Sequence, residues 1–341
     1  GYEYLVGKFL NQIGKRFPCF VETYGLFYYA DEASWNHAKD TKNITTNVLS
    51  NSLRLEKNDS DFATMCNKAK HAAVLIQHLK NVNTLNDVFK FGTEYVKWFC
   101  QVELLNVLYQ IYFPLSLLSK QFTHYDLHDG NVLIYEPVKG AYITYHYHHG
   151  DGKVVKFNSR YIVKLIDYGR SYFYDDDKNN TKTIHKAVCR EKQCGYCGDE
   201  KGFGYMNNEN SLQANYFICT SIVNPSHDLR LFSILKKYIA HVKFDSQTAT
   251  DEFMPLRYMI DNVVYGAGLT PKQKKMPYIY GTKANPVSGI KKKATKVNNV
   301  VDAELLLRDA FEFVPFRDYK TKTKLGDIHV YSDGRPMTFS K

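Results

Sequence analysis

"FTHYDLHDGNVLIYEP", residues 122–137, packs His124, Asp126, His128, Asp129 and Asn131 into one short turn between apolar flanks. A solvated loop needs no such density, whereas a phosphate-handling centre does. Phosphoryl transfer calls for a carboxylate at the attacking hydroxyl and a few oxygen ligands for magnesium, because its catalysis is mostly positioning and charge neutralisation. Residues 124–131 supply oxygen-bearing side chains of that kind. A second polar signature, Asp167-Tyr168-Gly169-Arg170, closes the strand-like run "KVVKFNSRYIVKLIDYG" and adds Asp167.

Working outward, "WFCQVELLNVLYQIYFPLSLL" precedes the turn. Gln101, Glu103, Asn106, Gln110 and Pro114 interrupt it, so it reads as a buried helix and not a membrane span. The pattern predicts one long helix from about Glu94 to Lys120, kinked at Pro114. "TLNDVF" before it opens on Thr84 as an N-cap. "NVLIYEPV", "AYITYHYHH" and "KVVKFNSRYIVKLIDYG" read as three strands, with Gly150-Asp151-Gly152 as a hairpin turn. His146 and His148 share a strand face and His149 points away, and all three are expected to be ordinary surface histidines. "PCFVETYGLFYYA" reads as a strand or hairpin edge and "HAAVLIQHL" as a buried strand; the polar stretch 31–70 between them reads as an excursion. "SHDLRLFSILKKYIA" is helical with Ser226 as its cap, and "VDAELLLRDAFEF" is a further helix.

At 341 residues and 44% hydrophobic, the chain can bury a large core. Its 45 Lys and Arg exceed 35 Asp and Glu by 10, which favours phosphate-bearing or acidic partners. Aromatics at 15% exclude a disordered polypeptide. Seven cysteines without regular spacing favour a reducing compartment over a disulfide scaffold. "GYEYLVGKFLNQIGKRF" begins without methionine and already in helical periodicity, so the chain is read as a fragment.

His124-x-Asp126-x4-Asn131 followed by Asp167-x-Gly169 resembles the paired signatures of the protein kinase-like superfamily. The resemblance implies an α+β, bilobal kinase-like fold, with a small lobe incomplete at its N-terminus (1–80) and a mainly helical large lobe (81–341) bearing a β-hairpin insertion. It implies ATP and magnesium as cofactors. Asp126 would orient or accept the substrate hydroxyl proton, Asn131 and Asp167 would hold magnesium, and His124 would brace the loop. Gly169 would permit a sharp turn where a Cβ obstructs, and Asp228 would hydrogen-bond the catalytic-loop backbone. Glu3 would pair with a strand lysine upstream of residue 1, and the backbone of Gln77, His78 and Leu79 would bind adenine.

Tyr125 replaces the arginine that usually precedes the catalytic Asp, which removes the partner of an activation-loop phosphate. His128 stands where protein kinases carry lysine, and the Asp-Leu-His-x-Gly-Asn form is similar to aminoglycoside-type phosphotransferases. No glycine-rich loop or Val-Ala-Ile-Lys-like strand precedes the turn. Taken together, "FPCFVETYG", the opening stretch and "YIVKLIDYGRSYF" resemble divergent serine/threonine kinase-like proteins of nucleocytoplasmic large DNA viruses. That resemblance implies a protein of infected-cell cytoplasm and of the virion, acting on protein substrates or contacting virion proteins. A small-molecule kinase and an inactive virion scaffold are the alternatives.

Two clusters stand apart from the paired motifs. His185, Cys189, Cys194 and Cys197 have the spacing of a structural zinc site, with unpaired reduced thiols as the alternative. The lysines between 272 and 296 lack interleaved aromatics, so a solvated loop is preferred there over a nucleic-acid footprint.

Overall fold

The computed structural model describes residues 2–29, 53–55, 71–175, 203–206, 215–218, 223–263, 282–283, 296–297, 299–317, 319 and 322–341. Helix α1 (Tyr2–Gly14) buries Tyr2, Leu5, Val6, Phe9, Leu10 and Ile13, a single face at three- and four-residue spacing. That face lies close to strand β1 (Thr23–Tyr29). A Cβ on Gly7 would fall 2.1 Å from Thr23 Oγ1, and Asn11 clamps Thr23 with Nδ2 donating to its carbonyl at 2.7 Å and Oδ1 accepting from its N–H at 2.9 Å. β1 sits between β2 (Leu53–Leu55) and β3 (His71–Ile76) in an antiparallel sheet. The "HAAVLIQHL" run is therefore a strand but not a buried one at its end: β3 is an edge, and Leu75 and Ile76 are exposed.

β4 (Val82–Thr84) leads into the short helix α2 (Leu85–Val88), where Thr84 and Asp87 form a reciprocal capping box. The single helix expected over 94–120 is two, α3 (Thr93–Val102) and α4 (Leu104–Leu117), and the break falls at Glu103 rather than Pro114. Glu103 is fully buried, and its carboxylate accepts from Ser159 Oγ at 2.7 Å, the Arg160 N–H at 3.1 Å and Tyr319 Oη at 2.8 Å. Satisfying those donors holds the turn, while Pro114 stays inside α4. α4 is buried on all sides from Leu104 to Leu115 and forms the axis of the hydrophobic core.

The short strand β5 (Phe122–Thr123) follows, then β6 (Val132–Tyr135), β7 (Tyr142–His148), β8 (Val154–Ser159), β9 (Ile162–Leu165) and β10 (Tyr172–Phe173). The run 153–169, expected as one strand, is split at Arg160 and Tyr161 between two sheets. β8 pairs with β7 across the Gly150–Gly152 turn, and β9 joins β4 and β6. β11 (Phe203–Met206) and β12 (Asn215–Ile218) form a separate antiparallel pair. A 3-10 turn at His227–Leu229 precedes α5 (Arg230–Ile239), and Ser226 makes no side-chain cap there, contrary to expectation, because the turn tightens before the helix begins. α6 (Gln247–Asn262), the β13 (Thr282–Lys283) and β14 (Lys296–Val297) pair and α7 (Val300–Ala310) come next, and α7 packs on α4. Finally β15 (Lys324–Tyr331) adds to β7 in parallel and pairs with β16 (Thr338–Ser340). Gly326 adopts φ +147°, and a Cβ there would stand 2.6 Å from the Ser340 carbonyl oxygen.

His146 and His148 do share a face, but they are half-buried rather than ordinary surface residues. Their rings stack in file with His329, 4.4 Å from His146 and 5.3 Å from His148. Among the described residues, no helix is long and apolar enough to cross a membrane.

Candidate functional site

Two strand pairs force the two polar motifs together. β5 leads into the 124–131 loop and β6 leads out, while β9 leads into the 166–171 loop and β10 leads out. β5 pairs antiparallel with β10, and β6 with β9. The two loops are thus pinned at both ends within the ~5 Å spacing of neighbouring strands. The Ile166 N–H donates to the Asn131 carbonyl at 3.2 Å between them.

His124 is wholly buried and bridges the loops. Its Nε2 lies 3.0 Å from the Ile166 carbonyl, which can only accept, while Nδ1 receives the Asp126 N–H at 3.3 Å. These partners define a neutral ring protonated on Nε2. Burial is the main reason its pKa falls to about 4, against the opposing pull of Asp126 and Asp167. The ring also packs edge-on to Phe122 and Tyr168, and the His124 carbonyl accepts from Ser171 Oγ.

Asp228 anchors the loop backbone from the far side. Its buried carboxylate accepts from the His124 N–H at 2.8 Å and the Tyr125 N–H at 3.0 Å. Those two donors hold Tyr125 in the left-handed region, φ +64°, an uncommon conformation for an aromatic residue. Burial pushes the Asp228 carboxyl up to about 7 while the two amides pull it down. The buried Tyr125 ring packs on His227.

Asn131 Nδ2 donates to the Asp126 carbonyl at 3.0 Å and fixes the ends of the turn to each other. His128 accepts the Gly130 N–H on Nδ1 at 3.0 Å, and a Cβ on Gly130 would strike that ring at 2.9 Å. Asp129 receives Tyr238 Oη, and its carbonyl receives the Asn86 N–H from α2. The Asp126 carboxylate is held on both oxygens: Arg230 Nη1 lies 2.8 Å from Oδ1 and Arg170 Nη1 lies 3.3 Å from Oδ2.

In the second loop, Asp167 is exposed and adopts φ +65°. The special backbone conformation therefore falls on Asp167 and not on Gly169, where a Cβ would meet Asp167 Oδ1 at an ordinary 3.6 Å. Tyr168 is buried, donates its hydroxyl to the Leu165 carbonyl and accepts the Val21 N–H. Glu3, on the first turn of α1, accepts the Tyr168 N–H; burial and then the neighbouring Asp167 raise its pKa.

The structure thus gathers Glu3, His124, Asp126, His128, Asn131, Asp167 and Asp228 in one region. Gln77 sits beside Glu22, one residue from the Val21 that bonds Tyr168. Its N–H donates to the Glu22 carbonyl at 2.8 Å, and its side chain lines a cavity of about 680 Å³ with Leu10, Lys15, Phe20, Lys164 and Met337, which none of Asp126, Asn131 or Asp167 borders. His78 is exposed and Leu79 half-buried. His185, Cys189, Cys194, Cys197 and most of the 271–296 lysine segment lie outside the described residues. Arg170 and Arg230 are the residues that sequence reasoning missed. Each adjoins a motif, but nothing in the sequence aims either at Asp126.

Asn131 and Asp167 offer oxygen donors only, which suits a hard cation that takes one or two protein ligands and completes its shell with phosphates and water. Among the described residues, no three His, Cys, Asp or Glu side chains form a metal cage, and a magnesium ion carried on a nucleotide needs none. No protein-family model and no curated protein matches the chain.

Proposed function

We propose that the chain is an ATP- and magnesium-dependent phosphotransferase acting on serine or threonine of a protein. One observation carries the reading: the 124–131 and 166–171 loops are tied into a unit by His124 to Ile166 and by Asn131 to Asp126, and Asp228 holds that unit from beneath. Such anchoring fixes the backbone that carries Asp126, and positioning catalysis requires a rigidly held carboxylate. Magnesium would rest on Asn131 and Asp167 and supply charge neutralisation of the nucleotide phosphates. With the Gln77 N–H committed to Glu22, the His78 and Leu79 backbone would meet adenine. The substrate hydroxyl gives its proton to Asp126 as its oxygen bonds to the γ-phosphorus, the bond from that phosphorus to the β–γ bridging oxygen breaks, and ADP departs.

The double hold on Asp126 favours a second reading, an inactive scaffold of the same fold. A phosphotransfer assay on the full-length gene product separates the two. Asp126→Asn and Asp167→Asn should each lower kcat at least about a hundredfold; equal rates in all three proteins would refute the proposal.

A further inference from the structure

Strands β7 and β15 bring three imidazoles into one file on a single sheet face. His329 stands opposite His146 in the parallel register, and Tyr331 stands opposite His148. The His329 ring stacks on His146 at 4.4 Å and on His148 at 5.3 Å, and Tyr331 stacks on His148 at 4.8 Å. His146 Nε2 lies 2.8 Å from Asp327 Oδ1, whereas His148 Nε2 meets His329 Nδ1 at 3.0 Å. That second contact joins two imidazoles. It needs an N–H on one ring and a bare nitrogen on the other, so it survives with one ring charged and is lost when both are.

The surrounding groups leave that requirement in place. Lys156 stands opposite His146 on β8 and Val154 opposite His148, while Thr338 stands opposite His329 on β16. Asp327 is shared between His146 and Lys324, and Asp333 pairs with Arg335, whose guanidinium lies over the Tyr331 ring. His149 turns to the other face and bonds Tyr109. Burial and then the neighbouring imidazoles lower the pKa of both His148 and His329; Arg335 adds to this at His148, and Asp333 and Asp327 oppose it at His148 and His329 respectively. Bases depressed in this way give full stabilisation above the ordinary histidine value of about 6.5 and lose it as pH falls below.

We propose that the bond between His148 and His329 is an acid-sensitive latch, which holds β15 and β16 on β7 while either ring is neutral and loosens them when both are charged. The loosening reaches α1, the helix that carries Glu3, because the Met337 N–H donates to the Lys15 carbonyl at 2.9 Å.

Hydrogen exchange on the full chain from pH 7.5 to 5, corrected for the pH dependence of free amides, reads the seam directly. Opening of 324–331 relative to β6 and β9 should rise roughly tenfold as the second ring charges. Imidazole nitrogen resonances in the same samples follow both rings. His148→Gln offers His329 a donor or an acceptor and cannot charge, so its ratio should stay nearly flat. A flat ratio in the unaltered protein while both rings charge, a rise that does not coincide with the second protonation, or an equal rise in His148→Gln overturns the latch. So does failure of the two rings to charge together above pH 5.

Discussion

Replacing His124 by glutamine should alter the acid stability of the protein in a direction and amount that the geometry sets. His124 is fully buried, neutral, and donates through Nε2 to the Ile166 carbonyl. Its pKa falls from 6.5 to about 4 on folding. A base whose folded pKa is depressed contributes stability that is intact above the unfolded value and is lost as pH falls toward the folded one. With ~1.4 kcal/mol per pKa unit, that loss amounts to about 3 kcal/mol between pH 6.5 and 4. Glutamine retains an N–H that can reach the Ile166 carbonyl and does not titrate. At pH 7, His124→Gln should cost about 1–2 kcal/mol through lost ring packing on Phe122 and Tyr168. By pH 4 the difference should vanish or reverse. Urea unfolding followed by circular dichroism from pH 4 to 8, on both proteins, measures it. The subtraction matters because His149 is also lowered to about 4 and adds its own acid sensitivity to each protein. Parallel stability curves would refute the buried, neutral state of His124.

Other perturbations follow from the same contacts. Glu103→Ala orphans the Ser159, Arg160 and Tyr319 donors at the α3–α4 break and should destabilise the fold by about 3–5 kcal/mol in chemical denaturation. Gly130→Ala must displace the His128 ring and break its bond to the Gly130 N–H. It should cost about 1–2 kcal/mol by the same measurement, and His128→Ala in that background should recover part of the loss. Asp228→Ala strips two amides of their acceptor. Hydrogen exchange should then report faster opening of 124–131 than of α4.

Much of the local architecture was legible because local physics writes it into the sequence. The α1 stripe from Leu5 to Ile13, the Thr84 cap and the Gly150–Gly152 hairpin are patterns of adjacent residues. The spacing from Asp126 to Asn131 is likewise local, contained within one short turn of chain. What stayed hidden depends on partners distant in sequence. The helix breaks at Glu103 because donors from Ser159, Arg160 and Tyr319 converge on it, whereas Pro114 is the residue that looks like a breaker. Gly169 looks like the special turn residue, yet Asp167 takes the left-handed conformation, since the contacts around the loop and not intrinsic preference decide it. The arginine pair on Asp126 has no periodicity or motif of its own, and it exists only once the 3-10 turn and the second loop have docked.

The parallel pairing of β15 with β7 sets His329 opposite His146, residues 183 apart. During synthesis, the β7–β8 hairpin leaves the ribosome long before its neighbour exists. Through that interval, one margin of β7 offers unsatisfied amides and carbonyls to any other strand in reach. Yield in a crowded cell therefore depends on how fast residues 324–331 arrive. A truncation at 323 would leave that margin open permanently and turn a folding hazard into an aggregation surface.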